Sequence, residues 1–133
     1  MCFNDTFCFS VGNFLIWRLY LDGYDEISLT NEFKVATSDN EKIYTPESLG
    51  FSRYRDIDLD GGQTPKEAAK IFDNIMNNTA TEAQKNVVVV NSAFAIHVIC
   101  PEKTIEECIT LAKESLESGR ALNTLKKFIE LNN

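Results

Sequence analysis

The chain has 133 residues, the length of one ordinary domain, and its 44% hydrophobic and 25% charged residues are typical of a folded globular protein. Its 13 basic and 20 acidic side chains give a net charge of −7, which repels a phosphate backbone and predicts no nucleic-acid partner. The four cysteines form no C-x-x-C pair and His97 is the single histidine. We therefore expect no zinc site, and free thiols in a reducing cytoplasm.

The first twenty residues contain an apolar stretch, from Phe7 to Leu21, that is interrupted by Asn13 and Arg18. A membrane-spanning helix needs roughly 20 apolar residues, and a signal peptide begins with a basic segment. Neither pattern is met. We therefore expect no membrane partner and interpret this stretch as an apolar N-terminal arm.

The segment from Glu26 to Thr45 predicts strands joined by a polar turn at Ser38-Asp39-Asn40. One of these strands is expected at Ile27-Ser28-Leu29, directly after a group of acidic residues. The β-favouring residues of the segment are Ile27, Leu29, Phe33, Val35, Ile43 and Tyr44. A small antiparallel element is the expected result.

Helices are predicted in the second half of the chain, because three threonines are each followed three residues later by Glu or Gln. In this pattern, the capping box, the two side chains satisfy backbone N–H groups at a helix start. The pairs are Thr64 with Glu67, Thr81 with Gln84, and Thr104 with Glu107. Gly119 is expected to end the third helix as a left-handed cap, and a last helix follows, with Leu122, Leu125, Phe128 and Ile129 on its apolar face.

The second of these segments is ambiguous, since Val87-Val88-Val89-Val90 favours a strand by propensity. The apolar run continues to Ile99, however, which is too long for one strand, and periodicity alone does not decide between a buried strand and a buried helix. Its length and the Thr81 cap lead us to predict a buried helix.

Sequence patterns for catalysis are sparse. His97 lies in the apolar run Ala95-Ile96-His97-Val98-Ile99 and is interpreted as a core or interface residue rather than a catalytic base. Neither G-x-G-x-x-G nor G-x-x-x-x-G-K-[ST] occurs, so the familiar glycine-rich phosphate loops are absent from the sequence.

An acidic cluster satisfies the calcium-loop pattern of EF-hands, with Asp56, Asp58, Asp60 and Glu67 as the ligands. The pattern requires a helix on each side, yet the preceding segment contains Pro46 and Gly50 and shows no helical periodicity. Because Glu67 also fits a helix cap, calcium binding remains an alternative and is not the main prediction.

A second acidic cluster is Asp22-Gly23-Tyr24-Asp25-Glu26. Mg²⁺ keeps most of its waters and takes one or two protein carboxylates beside substrate phosphates. Neighbouring strand residues point to opposite faces, so Asp25 and Glu26 could share one ion only at an irregular strand entrance, which Gly23 permits. A surface turn is the alternative interpretation of this cluster.

These residues resemble the Asp-Gly-x-Asp-Glu motif of anthranilate phosphoribosyltransferases, and further matches follow in that family's order. Because this motif belongs to the anthranilate enzymes and not to the related nucleoside phosphorylases, it favours the former family. The matching segments are Ile43 to Gly50, Gly61-Gly62, the alanine-rich helix from Pro65, Asn91-Ser92-Ala93, and Ser118-Gly119-Arg120-Ala121-Leu122. The resemblance covers residues 21–133, whereas residues 1–20 show none.

The resemblance implies an α+β fold: the C-terminal part of the family's α/β domain, with a few strands followed by about four helices. It also implies phosphoribosyl transfer from phosphoribosyl pyrophosphate to anthranilate in tryptophan biosynthesis, with Mg²⁺ as cofactor. Asp25 and Glu26 match the family's metal-binding carboxylates.

The sequence lacks two motifs that the family places earlier: the Gly-Thr-Gly-Gly-Asp loop for the sugar phosphate and the Lys-His-Gly-Asn-Arg segment near anthranilate. We therefore expect a truncated form that is inactive alone, through a shortened gene, a shifted reading frame or a deliberate truncation. A non-catalytic fragment that associates with itself, as a homo-oligomer, or with a full-length partner is the alternative from another class.

Overall fold

The computed structural model of the chain describes residues 8–11, 14–19, 26–36 and 40–132, and for the first two of these ranges it describes the backbone alone. Strands come first and helices second, as the sequence predicted. The strands are β1 (Cys8–Val11), β2 (Phe14–Leu19), β3 (Phe33–Ala36) and β4 (Glu41–Tyr44). The α-helices are α1 (Pro65–Met76), α2 (Glu82–Ile99), α3 (Ile105–Glu117) and α4 (Arg120–Leu131).

The four strands form one antiparallel sheet in the order β1-β2-β3-β4, so each strand pairs with its neighbour in the chain. The predicted hairpin between β3 and β4 is confirmed, with Phe33 opposite Tyr44 and Ala36 opposite Glu41. Ser38 and Asp39 of the predicted turn lie outside the described residues. The sheet also contains β1 and β2, which the sequence analysis had interpreted only as an apolar arm.

The predicted strand at Ile27-Ser28-Leu29 is wrong. The backbone of Leu29 has φ +60°, a left-handed value that interrupts any extended run. The side chain of Leu29 is 0% exposed, and its carbonyl oxygen accepts a hydrogen bond of 3.0 Å from the amide of Tyr54. Packing and this bond therefore override the β propensity of the segment.

The helix starts agree with the sequence patterns. Thr64, Thr81 and Thr104 each accept a hydrogen bond from the backbone amide three residues later, and each capping box is complete. Gly119 has φ +76° between α3 and α4, as predicted for a left-handed cap. Two short 3-10 helices, Glu47–Leu49 and Asp56–Leu59, connect the sheet to α1.

The hydrophobic core lies between α2, α3 and the β3–β4 hairpin. Helix α2 buries Val89, Val90, Ala93 and Phe94, which confirms the prediction of a buried helix. The ring of Phe94 makes edge contacts with Phe33 and Tyr44 at 5.6 and 5.4 Å between centroids. These aromatic contacts connect helix α2 to both strands of the hairpin and so fix the helix on the sheet.

Candidate functional site

The predicted metal-binding pair lies directly before the segment that packs on α2. Glu26 is exposed, and the following residues Ile27, Ser28 and Leu29 are buried. Asp25 lies outside the described residues. Within residues 26–36 and 40–132, the carboxylate of Glu26 takes part in no ion pair. Its exposure fits a Mg²⁺ ion that binds through one or two carboxylates and shares them with substrate phosphates.

Asn91 of α2 holds the backbone next to Glu26. Its Oδ1 accepts a hydrogen bond of 3.0 Å from the amide of Ile27, and its Nδ2 donates one of 2.8 Å to the carbonyl of the same residue. Nδ2 also donates to the carbonyl of Val87 at 2.8 Å, one helical turn earlier. From the sequence, Asn91 was identified only within a segment that matches the family, and no role was predicted for it. One sequence feature could have indicated this role: Asn91 is a polar amide in a long apolar helix, and such a group requires hydrogen-bond partners when it is buried.

The calcium-loop alternative disagrees with the geometry of its proposed ligands. Asp58 is bound to Arg55, with 2.7 Å between Oδ1 and Nη2, and this hydrogen bond lowers the pKa of Asp58 to about 2. The Oε2 atom of Glu67 accepts hydrogen bonds from the amides of Gln63 and Thr64 at 2.8 and 3.0 Å. These carboxylates therefore serve local structure.

Two further observations on this segment argue against a calcium site. Asp60 accepts a hydrogen bond of 2.9 Å from the amide of Gly62, and residues 51–55 contain no entering helix. In the described part of the chain, no three His, Cys, Asp or Glu side chains come together in a way that could hold a metal ion. The alternative of an EF-hand site at Asp56, Asp58, Asp60 and Glu67 is contradicted by this arrangement.

The Gly61-Gly62 pair adjoins the start of α1. Gly62 has φ +84°, and a Cβ atom at this position would lie 2.6 Å from the Cβ of Glu67. A side chain there would collide with the first turn of the helix, so glycine is required by local packing as well as by its backbone angle.

The surroundings of His97 and of the two described cysteines indicate structural rather than catalytic roles. His97 is half-buried, and its Nδ1 lies 2.8 Å from the carbonyl oxygen of Lys103, which agrees with its interpretation as a core residue. Cys100 and Cys108 are free thiols, as predicted. Burial raises the pKa of the Cys108 thiol, which disfavours its reactive thiolate. The side chains of Cys2 and Cys8 lie outside the described residues.

None of the helices among the described residues is both long and apolar enough to cross a membrane.

Comparison with known proteins decides the family. The family described as glycosyl transferase family, a/b domain, matches residues 12–122, so the match begins upstream of Leu21. The chain belongs to this glycosyl transferase family. An anthranilate phosphoribosyltransferase of Bacteroides thetaiotaomicron is 87% identical over 113 residues, which are 85% of this chain and 34% of that relative. One from Phocaeicola vulgatus is 62% identical over 112 residues, 84% of this chain and 34% of that relative.

Solved structures agree with this family membership. The crystal structure of anthranilate phosphoribosyltransferase from Thermus thermophilus has 25% sequence identity and a TM-score of 0.72, over 82% of this chain and 33% of that chain. The Saccharomyces cerevisiae enzyme in complex with 4-fluoroanthranilate has 22% identity and a TM-score of 0.75, over 85% and 34%. The latter supports the fold alone. The resemblance predicted from the sequence is confirmed, and the chain spans about a third of the length of these glycosyl transferase relatives.

Proposed function

We propose that this chain carries the part of an anthranilate phosphoribosyltransferase that binds the catalytic metal, and that the family's reaction needs the remaining two thirds of its relatives' length. The reaction is phosphoribosyl transfer from phosphoribosyl pyrophosphate to the amine of anthranilate, in cytoplasmic tryptophan biosynthesis. The observation that carries this proposal is the 87% identity to such an enzyme over 113 residues. At that identity the fold and the side chains of a site are normally retained together.

Asp25 and Glu26 are the proposed Mg²⁺ ligands. When bound, the ion supplies positive charge beside the pyrophosphate oxygens, where negative charge develops as this group leaves. The exposed carboxylate of Glu26 supports this role, because it extends from a backbone that is anchored at the next residue and is not engaged by a described basic side chain.

A chimeric enzyme tests the function. The 113 residues of this chain that match the Bacteroides thetaiotaomicron enzyme would replace their counterparts in that enzyme, and turnover would be followed by the loss of anthranilate fluorescence with phosphoribosyl pyrophosphate and Mg²⁺. We expect turnover close to that of the parent enzyme, and a loss of about tenfold or more for Glu26→Gln, as for other groups at metal sites. Glu130→Gln, an exposed carboxylate on α4, is the matched control and should have no effect. A folded chimera without turnover would contradict the assignment.

The chain alone is proposed to be inactive, because its sequence lacks the Gly-Thr-Gly-Gly-Asp loop that the resemblance assigns to the sugar phosphate. The same fluorescence assay on the purified chain should show no turnover. Turnover that Asp25→Ala abolishes would contradict this part of the proposal, and it would mean that the missing loops are dispensable or are supplied by another subunit.

Self-association is a second candidate property, favoured by the exposure of the outer helices. Helices α1 and α4 contain no buried residue. Phe72 of α1 is 49% exposed, and Phe128 and Leu131 of α4 are 64% and 86% exposed. Apolar side chains exposed to this extent on amphipathic helices favour association with another protein surface.

Light scattering after gel filtration measures this association. We expect a mass above the 15.0 kDa of one chain that rises with concentration, and a shift toward the monomer in Phe128→Ser. Thr124→Ser on the same helix is the control. A monomer at all concentrations, with cooperative unfolding, would exclude self-association.

A further inference from the structure

We propose that Asn91 is a positioning residue for the metal site: it fixes the backbone that carries Glu26, and metal affinity therefore depends on an amide on helix α2 that does not itself touch the metal. This inference rests on the proposed role of Asp25 and Glu26 as Mg²⁺ ligands.

The hydrogen bonds of Asn91 restrain both position and orientation. One side-chain amide bonds both the N–H and the C=O of Ile27, at 3.0 and 2.8 Å, as a neighbouring strand would. The N–H of Ile27 belongs to the peptide unit that begins with the carbonyl carbon of Glu26. Because a peptide unit is planar, fixing this N–H also fixes the direction in which the Glu26 backbone enters the buried segment.

Asn91 is itself held by the helix that carries it. Its third hydrogen bond, to the carbonyl of Val87, restrains the amide group from the side of α2. Neighbours of Asn91 on the same helix, Val90 and Ala93, are 0% exposed in the core. The amide therefore projects from a rigid support, and this is the arrangement that groups around metal ligands require if they are to orient those ligands.

The other end of the segment is held independently. Leu29, at φ +60°, bonds through its carbonyl oxygen to the amide of Tyr54 at 3.0 Å. A left-handed backbone at a bulky residue is unfavourable and persists only where the surroundings impose it. The segment that starts at Glu26 is thus held by α2 on one side and by the residues before the second 3-10 helix on the other.

A purely structural role for Asn91 makes a different prediction from a positioning role. If Asn91 only stabilises the fold, its replacement should lower stability and leave the metal affinity of the folded protein unchanged. Asn78 provides a matched comparison, because its Nδ2 donates a hydrogen bond of 3.1 Å to the carbonyl of Leu116 on α3, and none of its side-chain hydrogen bonds among the described residues reaches the segment from Glu26 to Leu29 or Tyr54.

The experiment is a titration of the ¹⁵N-labelled full chain with Mn²⁺, a paramagnetic probe that occupies Mg²⁺ sites and broadens the NMR signals of nearby amides. We expect selective broadening at Glu26 and Ile27 in the unaltered chain and its loss in Glu26→Gln. Asn91→Ala should weaken the apparent affinity by about tenfold or more, the usual effect of removing a group that orients a metal ligand. Asn78→Ala should lower stability and leave the affinity unchanged. Thermal unfolding of all variants gives their stability in parallel.

The outcomes distinguish the metal role of Asp25 and Glu26 from the positioning role of Asn91. If the unaltered chain shows no selective broadening, the metal role of Asp25 and Glu26 is wrong and the role of Asn91 falls with it. If the unaltered chain binds Mn²⁺ and folded Asn91→Ala binds it equally well, only the positioning role is overturned. Should Asn91→Ala not fold, Asn91→Ser applies the same test, since its hydroxyl is too short to make both bonds to Ile27. Equal affinity in that variant also overturns the inference.

Discussion

The pKa of the Asp58 carboxyl group is lowered by its neighbours in the folded chain. Hydrogen bonds from the Arg55 guanidinium and amide stabilise its charged form and lower its pKa to about 2. Because the folded value lies below that of an unfolded aspartate, the stabilisation is present above the ordinary aspartate pKa. It is lost as the pH falls toward 2.

The Arg55→Gln variant should bring the pKa of Asp58 back toward the ordinary range for aspartate, because the guanidinium is the largest cause of the shift. NMR titration of the side-chain carboxyl carbon measures this directly. Arg53→Gln is the matched control, since Arg53 pairs with Glu47 and should leave the Asp58 titration unchanged. An unchanged Asp58 titration in Arg55→Gln would contradict the assignment of the shift.

Residue roles were predicted from the sequence only in part. The pattern around Asp58 matched a calcium loop because a pattern counts carboxylates and ignores the groups that neutralise them, here Arg55 and the helix caps. The metal-binding pair rests on resemblance to a family motif. The contact between Asn91 and Ile27 was not predictable from spacing, because 64 residues separate the two in the chain.

At the scale of elements, the helix starts were the most predictable feature, because a capping box is encoded within four consecutive residues. The four helices and the β3–β4 hairpin were expected from the sequence. The strand expected at Ile27-Ser28-Leu29 was wrong, because the conformation of Leu29 is set by its burial and by its bond to Tyr54. Local propensity contains no information on such distant partners.

The cap of α3 gives a prediction for stability. Thr104→Ala removes the side-chain oxygen that accepts a hydrogen bond of 3.2 Å from the amide of Glu107, and should lower the free energy of unfolding by about 1 kcal/mol. Thr110→Ala, in the interior of the same helix, is the control and should change it by less than about 0.5 kcal/mol. Urea denaturation followed by circular dichroism measures both, and equal effects would argue against the cap.

For the whole molecule, stability depends on the core between α2, α3 and the hairpin. Leu116 is 5% exposed in that core, whereas Leu131 on α4 is 86% exposed. Leu116→Ala should therefore lower the free energy of unfolding by about 2–5 kcal/mol, and Leu131→Ala by less than about 0.5 kcal/mol. Denaturant titration compares the two, and a similar loss in both variants would show that α4 is covered in solution.

The exposure of the apolar faces of α1 and α4 could not be predicted from the sequence. The apolar face of α4 was predicted from its periodicity, and amphipathic periodicity normally indicates that a helix packs against another surface. Whether the partner surface belongs to the same domain is not encoded in that periodicity. The structure shows that Phe72 and Phe128 are exposed.

The bond between Asn91 and Ile27 also has a consequence for folding kinetics. Each strand pairs with its neighbour in the chain, and α2 packs on the next helix, so these contacts form over short loops. The bond from Asn91 closes a separation of 64 residues, and like the packing of Phe94 on Phe33 it bears a larger entropic cost. It should therefore form after the main folding barrier, so that Asn91→Ala accelerates unfolding and leaves the refolding rate nearly unchanged. Stopped-flow measurement of both rates checks this, and slower refolding of Asn91→Ala would show instead that the bond is already formed in the folding transition state.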